Sequence, residues 1–317
     1  MKNKVILIIG GTGALGKTLI EKYHSDNTII VFSRDEHKHY NLVKKYPNIK
    51  SVVGDIRDKE SVMNVLLRFN PEIVINTAAL KHVPICENNP IESVKTNIIG
   101  HQNVIECINL HKKVEALIFV STDKACKPIN VYGMCKAISE QLYVSFAEQQ
   151  NETKVVLVRY GNVLESTGSV IPYFKQLLES GSDYLPITHF DMTRFLLTLK
   201  QATELIDWAY NFSKSHGCIA IPKVKSMKVV DIANSLIKSY RKTDGVKLKK
   251  VGIRPGEKMH EEMISKEEWL RTQDWENYLI TTEYCNDDEV GWSYNSEDSL
   301  MDDDQTYNFL VNSGVIK

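Results

Sequence analysis

Short apolar runs recur along the first half of the chain, separated by longer stretches in which apolar residues return every three or four positions. The runs at residues 5–9, 28–32, 51–53, 73–76, 116–121 and 154–159 predict strands. The stretches at 15–24, 59–69, 90–110 and 131–149 predict helices. Strands that alternate with helices imply βαβ units and a parallel sheet, and strands covered on both faces read as unbroken apolar runs, as these do. Beyond about residue 165 the rhythm loosens. Residues 166–169 read as a polar linker, and Pro172, Gly181 and Pro186 punctuate short elements. Residues 198–212 and 227–240 read as helices among short strands. The expected division is a first domain at 1–165 with a returning segment at 191–215, a second domain from 166–190 and 216–285, and an acidic, solvated extension at 286–317.

Composition changes this picture little. The chain has 317 residues, of which 43% are hydrophobic and 25% charged, an ordinary globular balance. With 39 basic and 40 acidic residues the net charge is -1, which speaks against nucleic acid or a membrane surface as a general partner. The cysteines at 86, 107, 126, 135, 218 and 285 form no C-x-x-C pair and no zinc spacing. No metal site is expected, and free thiols fit a reducing cytoplasm. The apolar run at 5–9 is far shorter than the roughly 20 residues of a membrane span, and no leader cleavage site follows it.

The first chemistry-bearing motif joins the first strand to the first helix. Gly10-Gly11-Thr12-Gly13-Ala14-Leu15-Gly16 has the G-x-x-G-x-x-G spacing of a turn that bares backbone N–H groups to a diphosphate at a helix N-terminus. A purely structural turn is the alternative. The context gives a Rossmann doubly wound α/β sheet with a smaller mixed α/β substrate-binding domain. The second strand ends in Ser33 and Arg34, a hydroxyl and a guanidinium suited to the 2′-phosphate of NADP, with NAD the less favoured cofactor. A surface Arg34 paired with Asp35 or Glu36 is the bland reading. Asp55 and Ile56, after the third strand, suit the adenine edge, although Asp55 would equally cap the next helix. Lys81, past the fourth strand, is placed to reach cofactor ribose or substrate.

Thr122, Asp123 and Lys124 follow a hydrophobic strand, and Tyr132 and Lys136 open a helix on one shared face. An ammonium beside a tyrosine lowers its pKa from about 10 and equips it to take a proton from a sugar hydroxyl. Asp123 and Lys124 offer a second proton acceptor and donor if burial draws their pKa values together. Arg194 and Arg254 suit phosphate, Glu257 a ribose hydroxyl, and Asn162 stands at the sheet end where ligands bind. An Arg194–Asp191 salt bridge is the ordinary alternative, and His82 reads as a packed or surface histidine.

Five motifs carry a resemblance that runs from residue 4 to about 280. They are Thr77-Ala78-Ala79-Leu80-Lys81-His82-Val83-Pro84, Ser121-Thr122-Asp123-Lys124-Ala125, Arg159-Tyr160-Gly161-Asn162-Val163, Met192-Thr193-Arg194-Phe195 and Arg254-Pro255-Gly256-Glu257-Lys258. With them the chain resembles the extended short-chain dehydrogenase/reductase superfamily, and within it the configuration-inverting UDP-N-acetylglucosamine 4,6-dehydratases. The resemblance implies a reaction in which Tyr132 deprotonates O4 while C4 is oxidised by NADP. Water then leaves across C5 and C6, hydride returns to C6, and C5 is reprotonated. Asp123 and Lys124 match the family's acid/base pair. Which acts as base stays open, with Lys124 as C5 base and Asp123 as acid the favoured assignment. Ala78 and Ala79 would border the cofactor. Retaining relatives carry Met where Tyr132 stands, so inversion at C5 and UDP-2-acetamido-2,6-dideoxy-β-L-arabino-hexos-4-ulose are expected. The helices at 90–110 and 131–149 resemble the pair that forms a dimer bundle in the superfamily, so a homo-oligomer, dimer or hexamer, is expected. A UDP-sugar 4-epimerase, a retaining dehydratase, an NADPH-consuming reductase and a non-catalytic NADP sensor are the rival functions.

Overall fold

The computed structural model describes residues 1–164, 166, 168–240, 245–283 and 291–316. Strands β1 (Val5–Ile9), β2 (Thr28–Ser33), β3 (Lys50–Val53), β4 (Ile73–Asn76), β5 (Ala116–Val120) and β6 (Lys154–Val158) pair in parallel in the order 3-2-1-4-5-6. The strand order reverses between β1 and β4, which opens the crevice where ligands bind in sheets of this kind. Because successive strand residues point to opposite faces, Leu7, Ile9, Ile30 and Phe32 enter one core layer and Ile6, Ile8, Ile29 and Val31 the other. Helices Lys59–Phe69, Gly100–His111 and Val131–Gln149 cover the first face. Helices Ala14–Tyr23, Glu36–Lys45 and Leu199–Asn211 cover the second. The arrangement is therefore the expected doubly wound α/β sheet.

Three differences from the sequence expectations have physical causes. First, β7 (Ile219–Ile221) pairs in parallel with β6, and β8 (Thr272–Asp274) and β9 (Tyr278–Ile280) complete that edge antiparallel. Residues 216–285 are thus not wholly a second domain, because the exposed backbone of β6 takes its partner from this segment. Second, the stretch at 90–110 is not one uniform α-helix. Helices Pro90–Val94 and Gly100–His111 flank a π-helical turn at Lys95–Ile99. Third, the described part of the acidic extension is folded. Asp302 and Gln305 form a capping box for helix Asp303–Asn312, and Leu310, Val315 and Ile316 are buried beside Ile232 and Leu236. The acidic residues are an N-terminal cap and first turn, where negative charge is favourable, and the apolar ones are core. Residues 284–290 of the same stretch lie outside the described residues.

The smaller body packs helices Val170–Glu179 and Val229–Ser239 around its own core. Thr193–Leu197 pairs with Ser226–Lys228 and with Asn162–Val163, so Arg194 and Asn162 belong to one small sheet beside the C-terminal ends of the parallel strands.

Candidate active site

The ends of β1, β2, β4 and β5 border one cleft of about 430 Å³. Its wall includes Gly10, Thr12, Gly13, Ala14, Leu15, Gly16, Ser33, Arg34, Asp55, Ile56, Ala78, Ala79, Lys81, Thr122, Lys124, Tyr132, Lys136 and Asn162. Residues read from seven separate stretches of sequence therefore converge.

At one end lies the glycine loop. Gly10 has φ +79, and a Cβ there would come within 2.7 Å of Thr77 Oγ1 and 2.9 Å of Ala78 N. That glycine holds the turn against β4, as the structural alternative requires. Gly13 differs: it caps helix Ala14–Tyr23 with no side-chain hydrogen bond, so the first N–H groups of the helix are left for a ligand. A dinucleotide diphosphate fits this cradle. Beyond it, the Thr12 and Ser33 hydroxyls meet at 2.9 Å. Ser33 Oγ is also 2.8 Å from Nε2 of buried His39, whose Nδ1 is 2.6 Å from Ser51 Oγ.

Arg34 is paired with neither Asp35 nor Glu36. Its nearest carboxylate is Asp55, at 3.9 Å, and its side chain is half exposed. Asp35 instead caps helix Glu36–Lys45 and pairs with Lys38 at 2.9 Å. Lys38 stands on the cleft wall beside Arg34, a cation that sequence reasoning passed over. Asp55 is not a helix cap. Asp58 caps Lys59–Phe69, and Asp55 accepts two hydrogen bonds from the Arg57 guanidinium, at 2.6 and 2.8 Å. Burial alone would raise the Asp55 carboxyl, but these bonds outweigh it and hold it below its ordinary value.

At the other end, β5 runs into a 3₁₀ turn at Asp123–Ala125, whose N-cap is Thr122. The Thr122 hydroxyl donates to Asp123 Oδ1 at 2.9 Å, and Lys124 Nζ donates to the same oxygen at 3.0 Å. Lys124 Nζ also donates to Asn162 Oδ1 at 3.3 Å. Asp123 is fully buried beneath Lys124 and does not itself line the cleft. Burial raises its carboxyl above the usual range, against the pull of Lys124. The Lys124 ammonium is held well above its usual pKa by Asp123 and Glu261, although burial acts the other way.

Tyr132 and Lys136 stand on the first turns of Val131–Gln149, capped by Asn130. The electrostatics differ from the expectation that Lys136 lowers the Tyr132 pKa. Burial pushes Tyr132 up to about 12, and the groups that pull it down are the Lys124 charge and a hydrogen bond with Thr122. Lys136 points elsewhere: Nζ donates to Val120 O at 2.6 Å and lies 3.9 Å from the Phe119 ring centre. Burial brings Lys136 down to about 7, against the attraction of Glu140. Two long-range contacts shape this end. Asn97, in the π turn, accepts from Leu80 N and donates to Leu80 O, both at 2.8 Å, and so fixes the 77–81 loop. Ser139 donates to the Asn97 carbonyl from the facing helix.

Arg194, Arg254 and Glu257 are not on the wall of this cleft. Arg194 makes no pair with Asp191. It is buried, donates to Thr193 O and Met259 O at 2.6 and 3.2 Å, and lies 3.9 Å from Glu261. Arg254 is half exposed, with Glu257 at 3.9 Å. His82 is exposed and packs under Gly168. Sequence reasoning missed Glu261, a buried carboxylate 3.3 Å from Lys124; the available signal was an acid three positions past Lys258, just beyond the end of that motif.

A parallel sheet with a bare helix N-terminus at one end of its crevice and a buried Tyr, Lys and Asp at the other defines the class: the extended short-chain dehydrogenase/reductases. Within that class the chain belongs to the polysaccharide biosynthesis protein family, whose model matches residues 6–283. A UDP-N-acetylglucosamine 4,6-dehydratase (inverting) of Campylobacter jejuni is 43% identical, over 87% of this chain and 81% of that one. A UDP-glucose 4-epimerase of Rickettsia bellii is 35% identical, over 87% of this chain and 82% of its own. The crystal structure of Pen from Bacillus thuringiensis superposes with a TM-score of 0.89 at 32% identity, covering 99% of both chains.

Proposed function

We propose that this protein is a UDP-N-acetylglucosamine 4,6-dehydratase that inverts C5 and yields UDP-2-acetamido-2,6-dideoxy-β-L-arabino-hexos-4-ulose. The observation that carries the reading is the Asp123–Lys124 ion pair: Lys124 lines the cleft with Tyr132, and Asp123 lies buried 3.0 Å behind it. Redox at C4 alone needs only one proton acceptor; elimination across C5 and C6 needs a further acceptor and donor. A raised Asp carboxyl beside a Lys supplies both. The 43% identity to the Campylobacter jejuni enzyme supports the same reading.

The proposed cofactor is NADP, held with its diphosphate on Gly13, Ala14 and Leu15 and its 2′-phosphate near Ser33, Arg34 and Lys38. When bound, it supplies the redox change at C4 and C6. The chain's own residues move the protons. Tyr132 takes the O4 proton; burial sets its pKa at about 12, against the Lys124 charge and the Thr122 hydrogen bond that favour the tyrosinate. Asp123 and Lys124 exchange protons with C5 and O6 as the further acceptor and donor. Lys81, Asn162, Arg194, Arg254 and Glu257 are the proposed contacts of the UDP-sugar.

Ile91, Ile99, Met134 and Ile138 are exposed on the helices that cover one sheet face, which supports association of two copies there. No described helix is long and apolar enough to cross a membrane. Five buried free cysteines among the described residues fit the reducing cytoplasm proposed as its setting.

Incubation of the purified protein with UDP-N-acetylglucosamine and NMR of the product tests the reading. Loss of one water with inversion at C5 is expected. An unchanged mass with an altered C4 configuration would make it an epimerase. Tyr132→Phe is expected to cut turnover by at least about 10²–10⁴-fold.

A further inference from the structure

Behind Lys124, beneath the cleft wall, lies a carboxylate that the proton transfers above leave unused. Glu261 is 2% exposed. Its main chain is tied to Ser296, whose Oγ accepts from Glu261 N and whose N donates to Glu261 O, each at 2.8 Å. Its Oε1 lies 3.3 Å from Lys124 Nζ and 3.9 Å from Arg194 Nε, and its Oε2 lies 4.0 Å from Lys258 Nζ. Oε2 accepts no hydrogen bond among the described residues, and neither does Asp123 Oδ2. One ammonium therefore sits between two buried carboxylates, one its sequence neighbour and the other brought in from a distant segment of the chain.

Burying a charge is costly unless it is paired, so an anion at this depth has to be held in place by its cations. We propose that Glu261 is a positioning residue for the acid–base pair: it anchors the Lys124 ammonium opposite Asp123 and fixes which member of the pair carries the shared proton. This inference rests on the dehydratase reading. Alone in a dry site, a Lys–Asp pair drifts toward its neutral form, because burial disfavours both charges. A second anion next to the lysine opposes that drift. The groups that face Lys124 are Asp123, Glu261, Arg194 and Tyr132; those that face Glu261 are Lys124, Arg194 and Lys258. These three cations outweigh the burial of Glu261 and keep its carboxyl below its ordinary value.

In the elimination the C5–H bond breaks and its electrons form the C5–C6 double bond, while the C6–O bond breaks with its electrons going to the oxygen, which is protonated and leaves as water. One proton leaves C5 and one joins the departing oxygen, so the pair's proton count is unchanged. Glu261 sets the charge state from which that exchange starts.

The test uses the full-length protein with UDP-N-acetylglucosamine across a range of pH. Product mass, steady-state absorbance of the reduced nicotinamide and uptake of solvent deuterium at C5 are followed together. Glu261→Gln is expected to keep C4 oxidation but slow turnover at least about 10-fold, a modest fraction of a full acid/base loss. Reduced nicotinamide then accumulates where the wild type shows none, and deuterium uptake at C5 falls. The acidic limb of the kcat/KM profile moves to lower pH, because an anion that favours protonation of the pair has gone. Lys258→Gln moves the same limb to higher pH, because a cation that offsets Glu261 has gone. An unmoved limb in Glu261→Gln with no reduced nicotinamide, or shifts of the same sign in both variants, overturns the proposal. If Glu261→Gln does not fold, the sign of the Lys258→Gln shift decides. A wild type that removes no water defeats the dehydratase reading and this proposal with it; a wild type that does, with an unmoved limb, defeats this proposal alone.

Discussion

Gly133 lies between Tyr132 and Lys136 where helix Val131–Gln149 crosses the turn that carries Lys124. A Cβ at this position would stand 2.2 Å from the Lys124 carbonyl oxygen and 3.2 Å from Asn130 Oδ1. Cβ atoms essentially never approach closer than 3.0 Å, so Gly133→Ala forces a separation of a little under 1 Å. The obstructing atom is backbone, so no side chain can swing aside. Over-packing of this kind costs about 1–3 kcal/mol. Against it stands the gain of about 1 kcal/mol for replacing glycine by alanine in a helix interior. The balance is a net loss of about 1 kcal/mol, or roughly 2–4 °C in melting temperature for a chain of this order of size. The functional effect is larger. The displaced turn draws Lys124 away from Asn162 and Tyr132, and a misplacement of about 1 Å costs on the order of 10² in rate. Thermal unfolding, turnover of UDP-N-acetylglucosamine and NADP titration are measured together. Turnover is expected to fall about 100-fold with cofactor affinity unchanged, since the glycine loop is untouched. If Gly133→Ala melts higher than the wild type and keeps full turnover, the close approach of helix and turn has been misjudged.

Other perturbations have equally definite outcomes. Arg159 is 1% exposed and bonds Glu140 and Glu268 together, with its closest contact at 2.6 Å. Arg159→Ala strands two buried carboxylates, and denaturant titration is expected to show a loss of about 3–5 kcal/mol. Asp231 is held near 6 by burial and by Asp303, against 3.8 in the open chain. The folded state thus binds the extra proton between those values, so stability falls as pH rises from about 4 to about 6 and is flat above. The drop is at most about 3 kcal/mol, and thermal unfolding of Asp231→Asn should lack it. Arg34→Ala is expected to weaken NADP more than NAD by calorimetry; equal weakening of both would remove the basis for preferring NADP.

The parallel core was legible in the sequence because strands covered on both faces need apolar side chains on both, and β1 and β5 are apolar at every position. Helix Glu36–Lys45 was not, since only His39 and Leu42 of its ten residues are buried and the rest read as loop. The short strand β7 was missed as part of the main sheet for another reason. Three apolar residues do not announce their partner, and pairing with β6 spans some sixty positions. The acidic tail misled because its charges cluster at a helix start while its core residues are few. In the site, Tyr132, Lys136, Asp123 and Lys124 are visible as motifs on local elements. That the Lys124 charge reaches Tyr132, and that Glu261 faces Lys124, are products of tertiary packing and leave no local pattern.

The π-helical turn at Lys95–Ile99 sets the angular phase of everything that follows it on that helix. Each α-helical residue turns the chain by about 100°, so removing one residue there would rotate Asn97 off the Leu80 backbone or swing the Gly100–His111 segment out of its seat on the sheet. The exposed Ile99 can be substituted without touching these contacts, but a change of length disturbs them all. Single-residue deletions between positions 95 and 99 should therefore be far more damaging than point changes at the same sites, even though no residue there is proposed to touch the sugar.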